Sequence, residues 1–405
     1  MKPLLLFGIL ISMFCCTSNT TMDPVKATDS LQLAAIELAQ KYIITDGHID
    51  LPYRLNKKME DVSVRTQGGD FDFERAKQGG LDAPFMSIFV PADYQETGGA
   101  KAFADSMISI VIGLTQQYPD KFALAKSPED IMANFEKGLI AFPMGMENGA
   151  PIEDDLSNVQ YFYDQGIRYI TLTHGRDNQI CDSSYDTTRT WNGLSPFGRE
   201  VVMEMNKTGI MVDVSHISDS TFYQVMALSQ APAIASHSSC RYFTPGFERN
   251  MSDDMIRKLA NNGGVIQINF GSTFLDSISA QSSDAIRIHL AEWQKENQLT
   301  NEDSALLAYE DRYRAEHFAF SKVQRVVDHI DHVVAIASID HVAFGSDFDG
   351  VGDSLPAGLK DVSHYPNIIK ELLIRGYSEE DIAKICYKNI FRVWKQVSDT
   401  ADKLG

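Results

Sequence analysis

Histidines and acids stand where short apolar runs of this chain end: His48 and Asp50, Glu147, His174, His216, His237 and Asp347. Imidazoles and carboxylates bind divalent metals and move protons near neutral pH. In His48-Ile49-Asp50 the two donors are two positions apart on an extended run, so both side chains point to one face and can reach one ion. The H-x-D pattern alone is weak, and each histidine alone is as easily a hydrogen-bonded structural residue. Glu147 lies in Met144-Gly145-Met146-Glu147-Asn148-Gly149, and His216 and His237 each follow an apolar run. In combination they are specific, because a shared carboxylate can bridge two ions. His48, Asp50 and Glu147 on one ion, with Glu147, His216 and His237 on the other, leave each ion an open position.

The elements that must position these groups are short apolar runs at 43–49, 83–90, 140–146, 169–173, 211–215, 233–236, 265–270 and 342–346, read as strands. Stretches of helical periodicity lie between most of them, for example 195–207, 218–229 and 252–261. Alternating strands and helices imply a parallel sheet, and eight such units predict an α/β fold, a closed (β/α)8 TIM-type barrel. In such a barrel the active site assembles at the C-terminal strand ends, where the acids and histidines stand. A helical insertion, 271–338, precedes the last strand and is expected to form a lid or an oligomer contact. Ser378-Glu379-Glu380-Asp381 caps a closing helix over 378–397.

The chain resembles the membrane (renal-type) dipeptidase family, peptidase family M19, among the amidohydrolase-like barrels. The matching segments are Asp46-Gly47-His48-Ile49-Asp50-Leu51-Pro52, Thr171-Leu172-Thr173-His174, Ser215-His216, Ser236-His237-Ser238-Ser239, Arg249-Asn250 and Gly345-Ser346-Asp347-Phe348-Asp349-Gly350. They run in family order from about residue 43 to the C-terminus. The resemblance implies zinc ligation by His48, Asp50, Glu147, His216 and His237, with two Zn2+ bridged by Glu147 and a water or hydroxide. It also implies that His174 binds the substrate carbonyl, Arg249 the C-terminal carboxylate, and that Asp347 shuttles protons. General chemistry agrees: an imidazole N–H can steady a developing oxyanion, a positioned carboxylate can relay a proton, and Arg grips carboxylate with paired hydrogen bonds. Three positions depart from the family's pattern. Ile49 replaces a common Asn, Glu147-Asn148-Gly149 replaces Glu-Gly-Gly, and Phe274 stands where some members have a Tyr that assists the substrate carboxylate. The implied activity is hydrolysis of small dipeptides, including ones with a C-terminal D-residue. The alternatives are a related amide hydrolase, such as an N-acyl amino acid deacylase, and a non-catalytic metal-stabilised envelope binding protein. Family members are commonly homodimers.

The 405 residues are 44% apolar, enough for a large single core, and no internal repeat is evident. A net charge of −19 argues against nucleic acid as a partner. Lys2 and the apolar run Leu4 to Ile11, ending at Cys15-Cys16, have the layout of a signal peptide over 1–16. Lipidation of one of these cysteines would anchor the protein to a bacterial envelope, and a processed periplasmic form is the alternative. A linker is expected over 17–27 and one barrel domain over 28–405, opening with a helix at 28–42. Of the remaining cysteines, Cys181 and Cys240 could pair, but buried thiols are the default for them and Cys386. His329 and His332 share one helix face and are expected to be solvated, and His341 precedes the last strand at the stability face. His289, His317 and His364 carry no assignment.

Overall fold

The computed structural model describes residues 24–405, with side chains from residue 30 onward. Its strands, in chain order, are β1 (Ile44–Ile49), β2 (Leu81–Phe89), β3 (Phe122–Leu124), β4 (Ile140–Phe142), β5 (Met144–Glu147), β6 (Ile167–Thr171), β7 (Met211–Asp213), β8 (Ile234–Ser238), β9 (Val265–Ile268) and β10 (Val342–Phe344). Eight of them form one parallel sheet in the order β1-β2-β5-β6-β7-β8-β9-β10. The ring is closed at the C-terminal end, where Asp347 N–H donates to the His48 carbonyl at 3.0 Å and Asp50 N–H to that of Phe348 at 2.9 Å. Helices cover the outside, so this is the (β/α)8 barrel that the strand–helix alternation predicts.

The third expected strand, 140–146, is two strands. Pro143 has no N–H to give a ladder and breaks the run. Ahead of it, β4 pairs with β3, which the apolar pattern does not single out, in a separate two-stranded sheet. Behind it, β5 enters the barrel between β2 and β6. The first helix, Pro24–Lys41, starts inside the stretch read as a linker. The proposed signal segment, 1–16, lies outside the described residues. Among the described residues no helix is long and apolar enough to cross a membrane.

Capping residues act where the sequence places them. Ser195, Ser218 and Ser252 each accept a backbone N–H three residues on, starting the helices Pro196–Thr208, Asp219–Leu228 and Asp253–Asn261. Ser378 and Asp381 form a reciprocal capping box. The closing segment continues through a π-helical turn, Lys384–Lys388, into the helix Asn389–Leu404. Trp394 of that helix packs on Phe85 at 5.4 Å, and Phe85 on Tyr169 at 5.5 Å, which fills the barrel interior beneath the site.

Cys181, Cys240 and Cys386 are buried free thiols. His329 is not solvated as its helix position suggests. It is fully buried on Val323–Ala337, accepting from Cys240 N–H at 3.0 Å while its Nε2 lies 2.9 Å from the Leu275 carbonyl. That face of the helix packs on the barrel, and two backbone partners offset the desolvation of the ring. Burial holds its pKa down at about 3. His332, one turn on, pairs with Asp253 at 2.8 Å and is only partly exposed. His341 lies 2.7 Å from the Gly264 carbonyl at the bottom of β9, in the structural role expected there.

Candidate active site

The C-terminal strand ends bring the acids and histidines together around one buried carboxylate. Glu147, the last residue of β5, points its Oε2 at His48 Nε2 (3.3 Å). Its Oε1 faces the Nε2 atoms of His216 (3.0 Å), His237 (3.3 Å) and His174 (3.5 Å). Asp50 Oδ2 lies 3.5 Å from His48 Nε2 on the first side. The two oxygens of Glu147 thus face different imidazoles, and donor atoms lie within 4.8 Å of one another in three overlapping groups: His48, Glu147 and His237; Glu147, His174 and His216; and His48, Asp50 and Asp347.

Backbone geometry turns these side chains inward. His216 and Asp347 have φ of 68° and 65°, left-handed values that non-glycine residues adopt at a cost. Gly145 faces Tyr169 across the β5–β6 ladder, where a Cβ would fall 1.9 Å from the phenol ring. The missing side chain leaves room for Tyr169 in the barrel interior.

Outer hydrogen bonds decide which ring nitrogen His48 and His237 present. Tyr169 donates to the Gly47 carbonyl at 3.1 Å, so it accepts from His48 Nδ1 at 2.9 Å and leaves Nε2 with its lone pair. Ser236 donates to Asp213 at 2.6 Å, so it accepts from His237 Nδ1 at 2.7 Å. Such partners are what fix a metal-ligating imidazole. The fully buried His48 Nε2 and Asp50 Oδ1 have no hydrogen-bond partner. Orphaned buried donors of this chemistry fit a divalent cation.

Electrostatics agree. Burial pulls the imidazoles of His216 and His237 well below the usual range, assisted in both by the nearby charge of Arg249, so both are neutral. His174 is lowered mainly by burial. Burial opposes ionisation of Glu147, but the surrounding histidines hold it well below the ordinary carboxylate range. Burial also disfavours charge on His48, yet Tyr169, Glu147 and Asp50 together raise it well above its usual value, and a cation at Nε2 would supply that charge in place of a second ring proton. Asp347 is pushed up to about 7, chiefly by burial and then, against the pull of His48, by Asp50 and Glu147.

Asp50, Glu147, His174, His216 and Asp347 floor a cavity of about 500 Å³ whose walls include Tyr185, Phe274 and Arg314. Phe274 and Arg314 belong to the insertion, which thus walls the mouth; His289 and His317 stack on Tyr313 within it, away from the floor. Arg249 is buried beside the cavity. It donates to Ser238 Oγ (2.7 Å) and the His237 carbonyl (2.9 Å), and its Nε has no partner. His364 pairs with Asp361 outside the site. Sequence reasoning passes over Tyr169, Asp213, Ser236, Tyr185 and Asn269, whose Nδ2 donates to Asp347 Oδ2 at 2.7 Å. The acid inside the apolar run Met211-Val212-Asp213 is the one signal that could have found part of this set.

The chain is similar to known proteins along nearly its whole described length. An uncharacterized dipeptidase of Schizosaccharomyces pombe is 32% identical over 374 residues, covering 88% of this chain and 81% of that protein. Dipeptidase tcpJ of Claviceps purpurea is 31% identical over 369 residues, covering 88% and 77%. The crystal structure of the probable dipeptidase PvdM from Pseudomonas aeruginosa aligns with a TM-score of 0.79 at 28% identity, covering 92% of this chain and 99% of that one. Residues 33–405 match the family model described as membrane dipeptidase, and the chain belongs to that family, peptidase family M19.

Proposed function

We propose that this protein is a binuclear zinc dipeptidase that hydrolyses the peptide bond of small dipeptides. Membership of the metallopeptidase family M19 and the dipeptidase relatives support the reaction class. The observation that carries the two-metal reading is Glu147, whose Oε2 faces His48 while its Oε1 faces His216 and His237. In this reading His48, Asp50 and Glu147 hold one ion, and Glu147, His216 and His237 the other. Bound there, the metal supplies Lewis-acid polarisation and lowers the pKa of water toward about 7.

The chain's own groups do the rest. His174, kept neutral by burial, can present an N–H to the substrate carbonyl oxygen as charge develops there. Asp347, buried and steadied by Asn269, is placed to take a proton and return it to the departing amine. Arg249 offers its unpartnered Nε–H to the terminal carboxylate. Export to a cell envelope, with or without a lipid anchor, and a homodimeric state complete the proposal and rest on the sequence and the family alone.

The test is metal content together with hydrolysis of Gly–D-Ala and L-Ala–L-Ala, beside Asp347→Asn. Two zinc ions per chain and turnover that falls at least a hundredfold in the variant are expected. Full zinc with no turnover of either dipeptide, but cleavage of an N-acyl amino acid, would move the function to the deacylase reading.

A further inference from the structure

Tyr185 has no place in the chemistry above, yet its ring stands in the wall of the same cavity. The residue is 45% exposed there, tilted against the His216 ring with centroids 6.0 Å apart. Its backbone is tightly held. Ser184 N–H donates to the His216 carbonyl at 2.7 Å, Tyr185 N–H to Ser183 Oγ at 3.1 Å, and Arg189 grips the Ser183 carbonyl. Arg189 in turn pairs with Glu248, next to Arg249. A surface tyrosine needs no such anchoring. The phenol oxygen itself makes no hydrogen bond to any described residue.

The surroundings indicate what this hydroxyl could bind. Tyr185 packs on Phe247 (6.2 Å between centroids), Phe247 on Phe274 (5.7 Å), and the Arg249 guanidinium lies 5.5 Å from the Phe274 ring centre. The three rings thus form one run of contacts that ends on a buried arginine. Two of the guanidinium's five donors are taken by Ser238 and His237, and its Nε–H is unpartnered. Phe247 and Phe274 offer no polar atom, so Tyr185 carries the one hydroxyl among these three rings. A carboxylate has about four acceptor positions, more than one guanidinium edge fills.

We infer that the Tyr185 hydroxyl donates to the substrate's terminal carboxylate beside Arg249, making Tyr185 a specificity residue for ligands that end in a free carboxylate. The inference rests on the amide-hydrolase reading of the site.

Tyr185→Phe tests it, because the ring and its packing on His216 and Phe247 remain. The expected result on the zinc-loaded enzyme is a KM for L-Ala–L-Ala raised roughly tenfold or more, with kcat within about twofold and zinc content unchanged; a hydrogen bond to a charged group is of that strength. The C-terminal amide of the same dipeptide should be handled alike by both proteins. An unchanged KM, or equal losses on the acid and the amide, overturns the proposal. Calorimetric binding of N-acetyl-alanine separates it from the dipeptidase reading. Weaker binding to Tyr185→Phe supports the subsite even if neither protein cleaves dipeptides, and equal or absent binding overturns it.

Discussion

The Tyr169 hydroxyl lies 2.9 Å from Nδ1 of His48, and its own proton points to the Gly47 carbonyl. Burial raises the pKa of this phenol, so it stays protonated, and its one proton is already committed. It can only accept from the imidazole, which fixes the tautomer that leaves Nε2 free. Tyr169→Phe is expected to weaken metal binding about 10- to 100-fold, the usual effect of removing such a partner. Competition with a chelator of known affinity checks this; unchanged affinity would mean that something else orients His48.

Asn269 should matter to turnover more than to binding. Its Oδ1 accepts Gly271 N–H at 2.7 Å, which forces the NH2 group toward Asp347. Asn269→Leu keeps the volume and removes the contact. About a tenfold or greater fall in kcat is expected, with KM within twofold. Steady-state kinetics at full zinc occupancy would show it, and a loss confined to KM would count against a role through Asp347.

Gly145→Ala tests the room made for Tyr169. The new methyl would meet the ring at 1.9 Å, with strand backbone on one side and the filled barrel on the other. Overpacking of this kind costs about 1–3 kcal/mol, and more where nothing can move. The urea midpoint should fall accordingly, and zinc affinity with it if the ring shifts away from His48. A variant as stable as the parent would show that the interior yields easily.

Asp82 makes stability depend on pH. Its carboxylate is buried at the start of β2, where it accepts Ile44 N–H at 3.1 Å, and burial raises its pKa to about 7. The folded chain therefore holds this proton more tightly than the unfolded chain, whose aspartate titrates near 3.9. The resulting stabilisation is full below about pH 4, declines as pH rises through 7, and is absent above. Asp82→Asn keeps an acceptor and has no proton to lose. Relative to the parent it should gain on the order of 3 kcal/mol between pH 4.5 and pH 8. Urea denaturation at both pH values measures this, and a difference independent of pH would rule it out.

Much of this molecule is written locally. Apolar runs of strand length, serines three residues ahead of the N–H groups they cap, and His48 and Asp50 two positions apart all express neighbour relations along the chain. Those relations set helix starts and strand faces, so the barrel and the acids and histidines at its strand ends are legible in the sequence. The same logic misplaced His329, because helical periodicity identifies a face but not what packs on it. It also joined β4 to β5, because apolar character outweighed the missing N–H of Pro143.

What only the tertiary structure decided is partnership. That Tyr169 accepts from His48, that Ser236 and Asp213 stand behind His237, and that Tyr185, Phe247 and Phe274 line up toward Arg249 depend on contacts between distant segments, 121 positions apart for the first pair. Closing eight strands into a ring brings their ends within hydrogen-bonding distance, and no chain-local signal records that distance. The amino-acid sequence determined which groups could do chemistry. The closed barrel decided which nitrogen His48 and His237 present and which oxygen of Glu147 each imidazole faces, because both depend on contacts that exist only once the ring is shut.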